Sequence, residues 1–158
     1  MTGFSHLNDD GKAQMVDIGA KAPTRRTARA SGTVRMHPDT VKAIQANQIK
    51  KGEVLSVARL AGIMAAKQTG NLVPLCHPLA IDSVEVQFDV SSDAVRVQAV
   101  ASLHGKTGVE MEAITAVSVA AITIYDMCKS IDREMTITDI RLDSKTGGKS
   151  DYQREDDA

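Results

Sequence analysis

Hydrophobic and polar positions alternate with period two across residues 79–104. Val84, Val86, Phe88 and Val90 stand between Ser83, Glu85, Gln87 and Asp89. After the polar break Ser91-Ser92-Asp93, Val95, Val97, Ala99, Ala101 and Leu103 interleave with Arg96, Gln98 and Ser102. This predicts a hairpin with one buried face. Residues 27–36, TARASGTVRM, predict another strand, weakened by Gly32. Pro38 fits the first position of a short helix, PDTVKAIQAN, where a missing N–H costs nothing. Gly52 opens a longer helix over residues 53–69. The next helix, 110–129, is apolar nearly all round: Met111, Ile114, Val117, Val119, Ala121, Ile122, Ile124 and Met127 exceed a single stripe. Such a helix needs cover on more than one side, and one sheet covers only one. A second subunit is therefore expected. In the last strand, 134–143, Met135 and Ile137 share one phase and Ile140 and Leu142 the other, which predicts a bulge near Thr138–Asp139.

These elements run strand, two helices, two strands, helix, strand. The expectation is an α+β fold, a ferredoxin-like βαββαβ unit with one inserted helix, its antiparallel sheet carrying helices on one face. Residues 27–144 would form this domain. Residues 1–26 would be a mobile N-terminal arm contributing to the site, and residues 145–158, ending in the acidic SDYQREDDA, a flexible tail.

The chain has 158 residues, enough for one domain, with 42% hydrophobic residues to fill its core. A formal net charge of -1, no Trp, and only Phe4, Phe88, Tyr125 and Tyr152 as aromatics argue against a nucleic-acid partner. Cys76 and Cys128 are far apart and lack CxxC spacing, so neither a disulfide framework nor a zinc knuckle is indicated. The start, MTGFSHLNDDGKAQM, has no basic n-region or apolar core. A cytoplasmic protein without a membrane partner is expected.

Two strings end like a phosphate-binding loop, Gly105-Lys106-Thr107 and Gly148-Lys149-Ser150. That motif needs a further glycine where Val100 and Asp143 stand, so both fail. On the helix 110–129, Asp126 and Lys129 share a face at i, i+3. They read either as a surface ion pair or as an acid/base pair, and the second reading gains because that helix is otherwise almost free of charge. Thr107 and Glu110 have capping-box spacing. Glu112 has no such duty; it sits in the first turn, where the helix dipole favours an anion, and the two glutamates could instead accept N–H groups of a guanine-like ring. His77, beside Pro78, reads as structural or as a ligand contact; a zinc site of Cys76, His77, His104 and Cys128 lacks ligand-pair spacing. Lys51, next to Gly52 and a helix start, could grip a phosphate. Arg25-Arg26 and the Lys145/Lys149 pair flanking Gly147-Gly148 are further cationic spots. Together these suit an anionic, phosphorylated ligand and proton-transfer chemistry. The residues alone leave open an enzyme, a metabolite-sensing module or a purely structural subunit.

The runs KKGEVLSVARLAGIMAAKQT, LVPLCHPL, GKTGVEMEAITAVSVAAITIYDMCKSID and TGGKS resemble the MoaC family of cyclic pyranopterin monophosphate synthases, lyases of molybdenum cofactor biosynthesis. The opening HLNDDGKAQMVDIGAKAPTRRTARASG is similar to that family's arm, with Asn8 in place of Asp, and Ser150-Asp151 follows Lys149 without the family's glycine. The resemblance covers about residues 5–152. It implies conversion of 3',8-cyclo-7,8-dihydro-GTP into cyclic pyranopterin monophosphate with release of pyrophosphate. It implies no redox cofactor, and a homohexamer, a trimer of dimers with sites at the dimer interface; the residues themselves indicate no dedicated metal site. It also implies roles: Asp126, Lys129 and Lys51 catalytic; Leu75, Cys76, His77, Glu110, Met111, Glu112, Arg26 and Lys149 substrate-binding. A divalent metal could ride on the substrate phosphates.

Overall fold

The chain's computed structural model describes residues 7, 8 and 10–155. In order it forms β1 (Thr24–Arg35), α1 (Pro38–Gln45), α2 (Val54–Lys67), α3 (Thr69–Leu72), β2 (Ser83–Val90), β3 (Ala94–Gly105), α4 (Glu110–Cys128), β4 (Thr136–Thr146) and β5 (Tyr152–Gln153). The sheet order is β2-β3-β1-β4-β5, and every neighbouring pair is antiparallel. The expected α+β class and antiparallel sheet are present. α4 lies across β1, β3 and β4, and α2 packs on α4 and β2.

Alternation decides which sheet face the helices cover. Ala28, Ala30 and Val34 of β1 and Val95, Val97, Ala99, Ala101 and Leu103 of β3 are buried. Arg29, Arg35 and Arg96 of the opposite phase are exposed. The expected bulge forms in β4: Ser31 pairs with Arg141 and Thr33 with Thr138, so Asp139 and Ile140 oppose Gly32 alone. Asp139 takes φ 55 there. Gly32, expected only to weaken its strand, has a packing reason: a Cβ on it would lie 2.9 Å from Val117 of α4 and 3.0 Å from Ile140.

Small residues bring α2 and α4 together. Ala58, Ala113, Ala116 and Ala120 are buried, and a Cβ on Gly62 would lie 2.9 Å from the Ala116 carbonyl oxygen. α4 is also the one helix among the described residues long and apolar enough to cross a membrane, but it is the core helix of this fold. Its Ile124 is fully buried, and truncation to Ala would cost about 2–5 kcal/mol. Part of its apolar surface stays uncovered. Ile122 of α4 and Val57, Leu60 and Met64 of α2 are exposed large hydrophobics.

The boundaries move at both ends of the domain. β1 starts at Thr24, inside the segment read as an arm. β4 runs on to Thr146, and β5 pairs with it through Ser144 and Lys145, inside the segment read as a tail. Arg154 secures that end, its backbone N–H donating to Asp143 O at 2.8 Å and its Nε to Leu142 O at 3.2 Å. The single-turn α3 was not anticipated. Residues 1–6 and Asp9 of the expected arm, and residues 156–158 of the expected tail, lie outside the described residues.

Candidate functional site

A cavity of roughly 530 Å³ opens at the N-terminal end of α4, a size suited to a small organic ligand. Three segments wall it. α4 supplies Glu110, Met111 and Glu112; the loop after α3 supplies Leu75, Cys76 and His77; the arm supplies Val16, Ile18 and Lys21. Lys149 reaches in from the β4–β5 connection. A second, polar recess of roughly 100 Å³ adjoins it, sharing Lys21, Glu110 and Lys149 and adding Arg26, Lys106 and Lys145. One half is thus mixed apolar and acidic, and the other cationic.

The capping box does not form. The N-cap of α4 is Val109, with no side-chain cap. Glu110 is therefore the first helical residue rather than the third, as a capping box requires. It accepts instead from Lys145 Nζ at 3.0 Å. Thr107 lines the cavity. Glu112 is almost fully buried, and burial, with a smaller push from the Glu110 charge, raises its pKa; its own backbone N–H works the other way. Burial, then the charges of Glu112 and Glu110, also raises the Cys76 thiol, which stays protonated at neutral pH. His77 Nε2 lies 2.8 Å from Val16 O, tying the loop to the arm.

The loop Gly147-Gly148 delivers Lys149 by a close backbone approach. Gly147 has φ 82, and a Cβ there would meet Arg25 O. Thr24 Oγ1 donates to Gly147 O at 2.7 Å, and Gly147 N–H donates to Asp151 Oδ1 at 3.0 Å.

The other charged cluster sits at the C-terminal end of α4. Lys129 Nζ donates to Asp126 Oδ1 at 2.6 Å, and Lys51 Nζ to Asp126 Oδ2 at 2.7 Å and to its carbonyl at 2.9 Å. Lys51 arrives from the α1–α2 turn, where Gly52 takes φ 109. The start of α2 is not left open for a phosphate, because Glu53 caps it by accepting from Ser56 N–H. Asp132 steadies the turn after Lys129, accepting from the N–H groups of His37 and Glu134 and from Thr40 Oγ1. The hydrogen bonds from Lys129 and Lys51 hold the Asp126 pKa down to about 2. All three side chains are about half exposed.

Of the residues singled out in the sequence, Leu75, Cys76, His77, Glu110, Met111, Glu112 and Lys149 meet in one cavity, and Arg26 stands in its recess. Lys51, Asp126 and Lys129 meet one another but not that cavity. Asp126 follows Glu110 by sixteen helical residues, about 24 Å at 1.5 Å per residue. Sequence reasoning missed Val16, Ile18, Lys21, Leu79 and Lys106. The only local trace was the Asp17-Ile18-Gly19 turn and the rejected Gly105-Lys106-Thr107 string. Among the described residues, no group of three or more His, Cys, Asp or Glu side chains converges as metal ligands would.

Residues 15–148 match the sequence model of the MoaC family, a span that holds every residue of both clusters except Lys149. The chain belongs to the MoaC family. Family members from several bacteria align over nearly the whole chain. A protein of Peptoclostridium acidaminophilum named cyclic pyranopterin monophosphate synthase is 52% identical, over 96% of this chain and 98% of its own. One of the same name from Novosphingobium aromaticivorans is 56% identical, over 95% and 96%. Cyclic pyranopterin monophosphate synthase 3 of Mycobacterium tuberculosis is 54% identical, over 98% and 88%.

Proposed function

We propose that this chain is a cyclic pyranopterin monophosphate synthase. It converts 3',8-cyclo-7,8-dihydro-GTP into cyclic pyranopterin monophosphate and pyrophosphate, a lyase step of molybdenum cofactor biosynthesis. Full-length similarity to relatives of that name supports the reaction. The site supports it through a cavity that pairs a buried carboxyl with a cationic recess.

Glu112 and Glu110 accept N–H groups of the base-derived ring, which lies against Leu75, Cys76 and Met111. Arg26, His77 and Lys149 take the phosphate oxygens. Closing the cyclic phosphate requires a ligand hydroxyl to attack the α-phosphorus while the bond to the β-phosphate breaks and pyrophosphate leaves. Positioning and charge neutralisation carry such a step. Lys51 and Lys129 pass the proton of the attacking hydroxyl on to the departing pyrophosphate oxygen and neutralise its charge. Asp126, a poor base at neutral pH when held near a pKa of 2, is fitted to hold both ammonium groups more than to take a proton itself. The reaction calls for no redox cofactor, and a divalent ion on the triphosphate would ease its departure.

The carrying observation is the separation of the two clusters. Proton transfer works across roughly 2.6–3.2 Å, not the length of a helix. On this reading the Lys51–Asp126–Lys129 cluster of one copy serves the cavity of another in a homo-oligomer; a hexamer built as a trimer of dimers, with sites at the dimer interface, is what the family resemblance implies. The uncovered apolar side chains of α2 and α4 supply a surface for that assembly. A cytoplasmic setting belongs to the same reading.

The test is to incubate the protein with 3',8-cyclo-7,8-dihydro-GTP and follow pyrophosphate and the pyranopterin together. Both appear at equal rates with the wild type and neither with Lys51→Ala. Substrate that binds and returns unchanged means a sensor and ends the synthase reading.

A further inference from the structure

The arm is fastened over the cavity at two points. His77 Nε2 meets Val16 O at 2.8 Å, and Lys106 Nζ donates to Gly19 O at 2.7 Å. Between and beyond them the arm is shaped by its own hydrogen bonds. Asp17 Oδ1 accepts from Gly19 N–H at 2.7 Å, and Lys21 N–H donates to Ile18 O at 3.1 Å. This compact turn places Val16 and Ile18 in the apolar part of the cavity and Lys21 where the cavity meets its cationic recess. An isolated turn of this length has little reason to hold one position, because ordering each residue costs about 1–2 kcal/mol. Its tethers therefore matter.

The geometry points to Lys106 as a positioning residue: by holding the Gly19 carbonyl it closes the arm over the cavity and sets Lys21 against the phosphate end of the ligand. This rests on the reading of the cavity as the site of a phosphorylated ligand. Lys106 is at the β3–α4 corner, one residue from Thr107 of the cavity wall, so the clasp ties the lid to the wall it must meet. A charge-assisted hydrogen bond to a main-chain carbonyl is suited to that task, because it tolerates any side chain at the position it holds. The rejected phosphate-loop string thus finds a use for its lysine through the arm.

The test is a double-mutant cycle in the full chain with Lys106→Met, Lys21→Met and the pair, read by the dissociation constant for inorganic pyrophosphate and by amide hydrogen exchange over residues 16–21. If Lys106 acts through Lys21, each single change weakens pyrophosphate by about tenfold and the pair is no weaker than Lys21→Met alone. Lys106→Met also speeds exchange in the arm while the sheet amides keep their protection, and it raises KM while kcat stays within about threefold of wild type. Multiplying effects in the pair, unchanged arm exchange, or no pyrophosphate binding by the wild type overturns the assignment. Wild-type turnover is scored separately. If it is absent while the cycle and the exchange behave as stated, the clasp stands and the synthase reading falls.

Discussion

Lys51 Nζ lies 2.7 Å from Asp126 Oδ2, although the two residues are 75 positions apart in the chain. Spacing on one helix made Asp126–Lys129 visible in the sequence, yet the carboxylate is shared, one oxygen for each ammonium. Asp126→Asn should therefore disable both lysines at once. We expect kcat to fall by about 100-fold or more, with the thermal midpoint within about 2 °C of wild type because the side chains are solvent-facing. Steady-state turnover and a circular-dichroism melt check this. The depressed pKa means the clamp is fully present above the ordinary carboxyl value of 3.8 and is lost as pH falls toward about 2.

Glu112 should show the opposite pH behaviour. Its pKa is raised, so folding favours the protonated form, and stability declines as pH rises from 4.5 through the elevated value. Glu112→Gln removes that ionisation. The variant should melt above wild type at pH 8, with the difference vanishing near pH 4, and it should bind substrate poorly at both. A melting series across that range decides it; a parallel offset at all pH values would mean that ionisation of Glu112 is not the cause.

A shared site predicts complementation. Neither Glu112→Gln nor Asp126→Asn turns over alone. Unfolded together and refolded, they give mixed dimers in which one of the two sites has both its cavity and its lysine clamp intact. Random pairing through a two-fold interface yields about one quarter of wild-type activity. Activity no greater than the sum of the separate variants would put both clusters to work within one chain.

Gly147→Ala should act on Lys149 without touching it. The position has φ 82, and an added Cβ would run into Arg25 O, so the loop must leave β1. We expect a stability loss of about 1–3 kcal/mol, and a KM increase from the displaced lysine. Denaturant unfolding and initial rates measure the two parts.

Much of the fold was legible because it rests on local periodicity. The β2–β3 hairpin, α4 and the β4 bulge follow from which phase carries the apolar residues. The ends were not legible. Thr24 and Thr146 extend their strands because neighbours supply hydrogen bonds, and no periodicity in the sequence announces that. The site was half legible. Glu110 and Glu112, Cys76 and His77, and Asp126 and Lys129 lie in compact strings. Lys21 and Lys106 gain their meaning only from contacts across the fold, as Lys106 does with Gly19, 87 residues away. The capping box failed because the helix starts at Glu110, and a carboxylate in that position finds Lys145 on the neighbouring strand.

α4 acts as a gauge. One rod carries the cavity wall at its head and the Lys51–Asp126–Lys129 cluster at its foot. Adding a single residue to it would shift the foot by about 1.5 Å and turn it by about 100°, pulling Asp126 off Lys51. Side chains along the rod can be exchanged for others of similar volume, but its length cannot drift by one residue without parting that cluster.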